Sequence, residues 1–181
     1  MSRAEEIKAQ LEGKFSVLAD KITVSPSNRI YCQPVDRADF SNILDYLFTE
    51  MKYDFLHVVI GLHVGDNLEF AYVISNREDR LLLSLKQFAP ISDPVIKTVT
   101  DKYPSALWHE RELVDLFGAV VEGLPPGLTY PLPDGWPKGN YPLRKDWKVE
   151  YFDRETMTHN PPQPQAEAEA EKPSHESLSE E

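Results

Sequence analysis

The chain has one cysteine, Cys32, among its 181 residues. A single thiol cannot close an internal disulfide, and it cannot supply the cysteine cluster that holds zinc or an iron-sulfur centre. The sequence therefore predicts an intracellular protein that carries no iron-sulfur cluster of its own.

Basic residues are also scarce. The 19 Lys and Arg against 30 Asp and Glu give a formal net charge of -11, which argues against nucleic acid and against direct adhesion to anionic lipid. No apolar run reaches the roughly 20 residues of a membrane-spanning helix, and the acidic N-terminus lacks the apolar core of a signal peptide. The phosphate-binding patterns GxGxxG and Walker A are absent. We expect a cytoplasmic protein that reaches a membrane only through partners.

The apolar periodicity predicts an α+β fold, a single domain over residues 1–118 with an antiparallel β-meander packed on helices. Ser2 and Glu5 have capping-box spacing and start a helix that ends by Gly13. Asp36 or Asp39 caps a second helix. Its apolar stripe consists of Phe40, Ile43, Leu44, Leu47, Phe48 and Met51. The run Ser92-Asp93-Pro94 predicts the start of a further helix that carries Val95, Ile96 and Val99.

Strands are predicted at 22–24, 30–32, 55–63, 68–75 and 80–88. Simple alternation over 55–63 places His57 and His63 on one face. The opposite face then holds Leu56, Val58, Ile60 and Leu62. Because no third ligand stands nearby, we interpret the two histidines as half-exposed strand residues, with metal ligation as the alternative.

A helix is predicted over 106–117, with Gly118 as its stop. At about 100° per residue, Glu110 falls within the apolar face. That face is formed by Ala106, Leu107, Leu113, Val114 and Phe117. A buried carboxylate needs a cation or several backbone donors, and we expect the Arg144-Lys145 pair to supply the cation. The opposite face carries Trp108, Arg111, Glu112 and Asp115, and Arg111 and Asp115 are spaced to pair along the helix.

Residues 119–158, here called the strap, contain six prolines between Pro125 and Pro142 and are predicted to be extended. Large apolar groups at Leu128, Tyr130, Trp136 and Trp147 distinguish the strap from a solvated linker and suggest a contact surface. Residues 159–181 are acidic, nearly free of apolar side chains and predicted to be a disordered tail.

Two motifs in this region resemble the signature of the C subunit of the complex I family. The first is Glu110-Arg111-Glu112 with Asp115-Leu116-Phe117-Gly118 and Glu122-Gly123. The second is Pro142-Leu143-Arg144-Lys145-Asp146 with Trp147. The family includes NADH:quinone oxidoreductases and energy-converting, membrane-bound nickel-iron hydrogenases. The chain departs from the usual complex I pattern at two places: Gly123 is followed by Leu124-Pro125 instead of His-Pro and a basic run, and the second motif reads Tyr141-Pro142-Leu143. The short chain and the Tyr141-Pro142-Leu143-Arg144 form resemble the hydrogenase branch more closely.

The resemblance implies a non-catalytic docking subunit in the peripheral arm of a membrane-bound, ion-translocating redox complex, at the cytoplasmic face of the plasma membrane. It implies contact with the catalytic large subunit and the iron-sulfur subunits. It also implies no cofactor in this chain, with iron-sulfur clusters and either nickel-iron or flavin elsewhere in the complex. The expected structural or interface residues are Trp108, Glu110, Arg111, Glu112, Asp115, Phe117, Gly118, Glu122, Gly123, Trp136, Pro142, Leu143, Arg144, Lys145, Asp146 and Trp147.

Two other functions remain open from the sequence. His109, Glu110, Glu112 and Asp115 can be interpreted as the acid/base cluster of a soluble enzyme, although no nucleophile accompanies them. Alternatively, the chain is a freestanding acidic interaction module that works through its tail.

Overall fold

The computed structural model describes residues 2–27 and 29–160, so the predicted tail lies outside the described residues from position 161 onward. Three helices and nine strands occur within the described ranges. In chain order they are α1 (Arg3–Lys14), β1 (Ile22–Val24), β2 (Ile30–Cys32), α2 (Arg37–Thr49), β3 (Phe55–Val64), β4 (Asn67–Ser75), β5 (Leu82–Pro90), β6 (Val95–Lys97), α3 (Ala106–Glu112), β7 (Val120–Glu122), β8 (Phe152–Asp153) and β9 (Thr158–His159). α3 runs on directly into a π-helical turn, Leu113–Phe117, here called the π segment.

Five strands form the main sheet in the order β1-β2-β5-β4-β3. The β3–β4–β5 part is an antiparallel meander, which confirms the predicted α+β class. The parallel pairing of β2 with β5 brings the N-terminal hairpin onto the side opposite β3. None of the helices in the described part of the chain is long and apolar enough to cross a bilayer.

The helices cover one face of this sheet. α2 begins at Asp36, whose side chain accepts the Asp39 N–H at 2.8 Å. It buries Phe40, Ile43, Leu44 and Leu47 of the predicted stripe beside β5, with Ile43 and Leu47 fully inaccessible. Phe48 and Met51 are only partly buried, and Met51 follows the end of the helix. α1 starts at the Ser2 cap and buries Ile7 and Leu11 beside β1. Each such aliphatic side chain stabilises the fold by about 1.5–3 kcal/mol, so the helix layer is held mainly by burial.

A β-bulge at His57 corrects the predicted faces of β3. The register steps from Leu56 opposite Ile74 to Val58 opposite Val73, which leaves His57 as the extra residue. Leu56 and Val59 therefore both point into the core. Ile60 and Leu62 point outward, contrary to the alternation that placed them with Leu56, because an inserted residue reverses every later position of a strand.

The same bulge separates the two histidines. His57 Nε2 lies 2.8 Å from Ser75 Oγ on the outer face. His63 lies on the inner face, where its Nδ1 accepts the Lys145 N–H at 2.9 Å. The prediction that they share a face is wrong, and nowhere in residues 2–27 and 29–160 do three or more metal-ligating side chains come together.

The predicted helix after Ser92-Asp93-Pro94 is also wrong. Residues 95–97 form β6, which pairs in parallel with β7 and buries Ile96. Val120 N–H donates to Pro94 O, and Thr98 N–H donates to Glu122 O, each at 2.9 Å. The long-range ladder satisfies the backbone that a local helix would otherwise satisfy, so tertiary pairing overrides the capping signal.

Candidate docking site at the junction of α3 and the strap

Glu110 lies in the middle of α3 and is completely buried, as its position on the helical wheel predicts. Its two carboxylate oxygens accept hydrogen bonds from the chain just after β6. Thr98 Oγ1 donates to one at 2.5 Å, and Val99 N–H donates to the other at 2.7 Å. Burial raises the pKa of the Glu110 carboxyl, while these two hydrogen bonds oppose the rise.

The expected ion pair between Glu110 and Arg144 or Lys145 is wrong. Two donors already satisfy the carboxylate, so it needs no cation. Both oxygens are also withdrawn from any cleft, and the acid/base alternative therefore has no substrate-facing group at Glu110. Thr98 and Val99 were missed because nothing in their sequence context indicates that they meet α3.

The π segment ends at Gly118, whose φ of 70° is the left-handed conformation that glycine adopts readily. A side chain at this position would also collide with the ring of Tyr141. Gly118 therefore ends the helix and allows the strap to return across it. Phe117, just before it, packs its ring against the bare backbone of Gly61 in β3.

Arg111 points into the first bend of the strap. Its guanidinium donates to the carbonyl oxygens of Leu128, Pro126 and Pro125, at 2.7, 3.1 and 3.3 Å respectively. It also lies over the ring of Trp108, 5.5 Å from the ring centroid. An arginine with several fixed donors suits a proline-rich segment, which has many carbonyl groups and few N–H groups.

Asp115, one turn later, accepts the N–H of Tyr130 at 2.5 Å. Arg111 and Asp115 therefore do not form the expected ion pair along the helix, because their charged groups bind Leu128 O and Tyr130 N instead. Each side chain instead binds the strap backbone. Partial burial raises the pKa of the Asp115 carboxyl, and the Tyr130 hydrogen bond and the Arg111 charge oppose that rise.

Arg144 binds the end of the same helix from the far side of the strap. Its Nε donates to Phe117 O at 2.6 Å, and its guanidinium lies 4.4 Å from the centroid of the Tyr141 ring. Leu143 N–H donates to Leu116 O at 3.1 Å. A cation and an N–H group thus meet the carbonyl groups that a helix leaves free at its C-terminus. Asp146 is exposed, and its carboxylate lies 4.0 Å from His63 Nδ1.

The last part of the strap folds on itself around an aromatic cluster of Trp136, Trp147, Phe152 and His159. Trp136 stacks on Phe152 with 4.8 Å between ring centroids, and Trp147 stacks on His159 with 5.3 Å. Both indole N–H groups donate to Asn140. His159, which the sequence assigned to the tail, therefore belongs to the folded part of the chain.

The outer rim of the junction is apolar and uncovered by described residues. Trp108 is 55% exposed, Leu128 87% and Leu143 52%. Between α3 and the strap lie two adjoining open clefts of about 440 and 420 Å³, both lined by Val114, Asp115, Ala119, Val120 and Thr129. Glu112 lies nearby, 3.9 Å from His109 Nδ1. At the far end of β7, Glu122 lies 3.7 Å from Arg37, and Gly123 turns the chain with φ of 81°.

The arrangement is suited to binding and not to catalysis. Three charged side chains attach a proline-rich segment to the helix, and the outer rim of the junction presents large apolar groups.

The sequence profile of the family described as respiratory-chain NADH dehydrogenase, 30 Kd subunit, matches residues 34–153. The chain belongs to this family. The matched stretch runs from just before α2 to the end of β8, and so includes the whole junction.

Two relatives illustrate the similarity of this chain to known proteins. The C subunit of F(420)H(2) dehydrogenase from Methanosarcina mazei is 31% identical over 147 residues, which are 80% of this chain and 92% of the relative. The C subunit of NADH-quinone oxidoreductase from Acidothermus cellulolyticus is 34% identical over 103 residues, 55% of this chain and 53% of the relative. The chain thus spans nearly all of the first protein and about half of the second.

Solved structures share the fold of this chain. A chain of the membrane-bound sulfane sulfur reductase, an archaeal respiratory membrane complex, superposes with a TM-score of 0.69 at 24% identity, covering 82% of this chain and 87% of that one. The trypsin-resistant fragment (1-134) of Nqo5 gives 0.57 at 23% identity, covering 70% and 100%. Family and fold together identify the chain as a subunit of a respiratory complex of the complex I family.

Proposed function

We propose that this protein is a non-catalytic docking subunit in the peripheral arm of a membrane-bound, ion-translocating redox complex. It binds the catalytic large subunit and the iron-sulfur subunits through the rim of the α3–strap junction. The iron-sulfur clusters and the nickel-iron or flavin centre belong to those partners. The subunit lies at the cytoplasmic face of the plasma membrane.

The observation that carries the proposal is that the strap is hydrogen-bonded to the helix on one side, while large apolar side chains on the other side are exposed. Arg111 and Asp115 bind its backbone from the helix side, and its own Arg144 binds the helix C-terminus at Phe117 O. The same segment leaves Trp108, Leu128 and Leu143 in solvent. Exposed aromatic and aliphatic groups around a fixed arginine have the composition of a protein interface core.

We propose a division of roles among these residues that differs from the one expected from the sequence. We assign direct partner contact to Trp108, Leu128 and Leu143, with Glu112 at the margin. Trp136 and Trp147 brace the strap through their mutual packing and Asn140. Glu110, Phe117 and Gly118 fix the helix, and Pro142, Arg144, Lys145 and Asp146 fix the returning chain. Glu122 and Gly123 form the bend where the strap leaves β7.

Replacing Trp108 by Ser tests the proposal in the complex extracted from membranes. A buried interface tryptophan is typically worth about 2 kcal/mol or more, so we expect recovery of the large subunit with the variant to fall by roughly tenfold or more. Tyr31→Ser is the matched control, because Tyr31 is 40% exposed on β2, at the other end of the sheet. Equal recovery with both variants and the unaltered subunit would contradict docking through the junction.

Within the family, we place the subunit in the hydrogenase-like branch. The form of the second motif, Tyr141-Pro142-Leu143-Arg144, supports this placement. Metal and flavin analysis of the purified complex tests this placement. Nickel without flavin supports the hydrogenase branch, and flavin without nickel contradicts it.

A further inference from the structure

β3 is the last strand of the main sheet, and its second edge has no backbone partner among the described residues. Open edges are usually protected by charge, proline or short length. β3 has none of these: its ten residues, FLHVVIGLHV, contain no proline and no Lys, Arg, Asp or Glu. Its protection comes from the bulge at His57 near one end and from the contact of Lys145 with the His63 side chain near the other, which leaves the middle of the edge open.

The hydrogen bonds within the sheet determine which backbone N–H and C=O groups of β3 point away from β4. Phe88 N–H donates to Val35 O at 3.0 Å, so the main chain of Phe88 faces away from β4. Glu69 lies opposite Phe88 and must therefore bond to β3, where its partner is Leu62. By alternation along the strand, the N–H and C=O groups of Val59, Gly61 and His63 point outward from the sheet.

The side chains beside this edge are apolar. On the outer sheet face, Ile60 is 44% exposed, Leu62 39% and Val64 44%. An added strand with alternating apolar side chains would extend this stripe while its main chain bonded to the three outward-pointing residues. Both the backbone and the side chains thus fit an extended, uncharged polypeptide segment.

Two occupants from the chain itself fit poorly. α3 packs directly beneath β3, so pairing of β3 with a second copy would bring two helices to about 5 Å, whereas packed helices need about 8–10 Å. The second occupant is the segment 161–181, which contains four prolines and six glutamates. The prolines have no N–H to donate to a neighbouring strand, and the glutamates would place charge beside an apolar stripe.

We propose that the open edge of β3 takes a β-strand from another subunit of the same complex, so that the sheet continues across the subunit boundary. This inference rests on the proposed function in one respect, because it assumes that the partner is a subunit of the same complex. It uses a surface separate from the rim of the α3–strap junction.

Hydrogen exchange resolved to single amides tests the proposal by comparing the isolated subunit with the assembled complex. In the isolated subunit the amides of Val59, Gly61 and His63 should exchange rapidly, while Leu62, bonded to β4, is protected. In the complex, exchange at the three edge amides should slow by on the order of a hundredfold or more. Unchanged exchange at the edge in an intact complex would overturn the proposal.

Protection already present in the isolated subunit would also overturn it. If that protection falls on dilution, a second copy covers the edge; if it is independent of concentration, the chain covers its own edge. Failure of the proposed function has a different signature, since no complex with partners would be recovered at all.

Leu62→Lys gives a second test with a matched control. Leu62 and Tyr31 are equally exposed on the same sheet face, but Tyr31 lies on an interior strand. Provided both variants keep the melting temperature of the unaltered subunit, Leu62→Lys should reduce recovery of the complex about tenfold or more, and Tyr31→Lys should not. Equal losses would indicate docking by the whole face and contradict strand addition at the edge.

Discussion

The guanidinium of Arg111 occupies the space that a side chain on residue 127 would need, so Gly127 and Arg111 fit together only because Gly127 has no Cβ. Three neighbouring carbonyl oxygens, from Pro125, Pro126 and Leu128, bind that guanidinium. The first bend of the strap is thus closed around a single arginine side chain.

We therefore expect Gly127→Ala to expel Arg111 and release the first bend of the strap. Each charge-assisted bond is worth about 1.5–3 kcal/mol when buried and less at this partly exposed site. Limited proteolysis within residues 123–130 should accelerate severalfold, with little change in the melting temperature of the core. Gly13→Ala is the control, because a Cβ at Gly13 meets nothing within 4 Å. Equal proteolysis of the two variants would show that the bend does not depend on Arg111.

Glu110 should make the stability of the subunit depend on pH. Its pKa is raised in the folded state, so the stabilisation is fully present below the unfolded pKa and is lost as pH rises through the folded pKa. Glu110→Gln keeps the shape but cannot ionise, so its free energy of unfolding should fall less steeply over that range. Urea titrations at a series of pH values measure the difference, with the half-exposed Glu112→Gln as control.

Glu110→Ala should be much more harmful than Glu110→Gln at every pH. It leaves the buried N–H of Val99 without an acceptor, at a cost of about 1–3 kcal/mol, and opens a cavity in addition. The same urea titrations report this loss. A glutamine variant as unstable as the alanine variant would show that charge, and not hydrogen bonding, is what the site requires.

Glu110 and Arg144 should be energetically independent. They share no hydrogen-bond partner, since one binds residues 98–99 and the other binds Phe117 O. In a double-mutant cycle of Glu110→Gln with Arg144→Ala, the free energies of unfolding should add to within about 0.5 kcal/mol. The stacked pair Arg144 and Tyr141 is the positive control and should show coupling. Strong coupling between Glu110 and Arg144 would restore the ion pair expected from the sequence.

Trp136 and Trp108 should respond in opposite ways to substitution. Trp136→Ala removes the stacking partner of Phe152 and a donor to Asn140, so residues 136–159 should become sensitive to protease in the isolated subunit. Trp108→Ala removes a half-exposed ring that contacts Arg111 and Tyr130 but not the aromatic cluster, so residues 136–159 of the isolated subunit should keep their protease resistance while partner binding is lost. Two variants with the same digestion pattern would contradict this division of roles.

Local patterns predicted the elements whose causes are local. The α2 stripe, the meander turns and the Gly118 stop follow from periodicity, turn residues and the left-handed conformation, and all three are present. The burial of Glu110 also followed from the helical wheel alone. These features depend on residues within a few positions of each other, and a single sequence displays that information.

The errors arose where distant residues decide the conformation. The helix expected after Pro94 becomes β6 because β7, some 25 positions later, pairs with it. The bulge at His57 reverses the faces of β3 although the local alternation is regular. The partners of Glu110, Arg111 and Asp115 are backbone groups or a threonine, which leave no charge pattern to detect.

Arg111 and Asp115 recognise only main-chain atoms of the strap, because their partners are carbonyl oxygens and one amide. These hydrogen bonds do not depend on which side chains the strap carries at those positions. Substitutions of the side chains at positions 128–134 should therefore leave the bonds from Arg111 and Asp115 in place, whereas a side chain at residue 127 would displace Arg111.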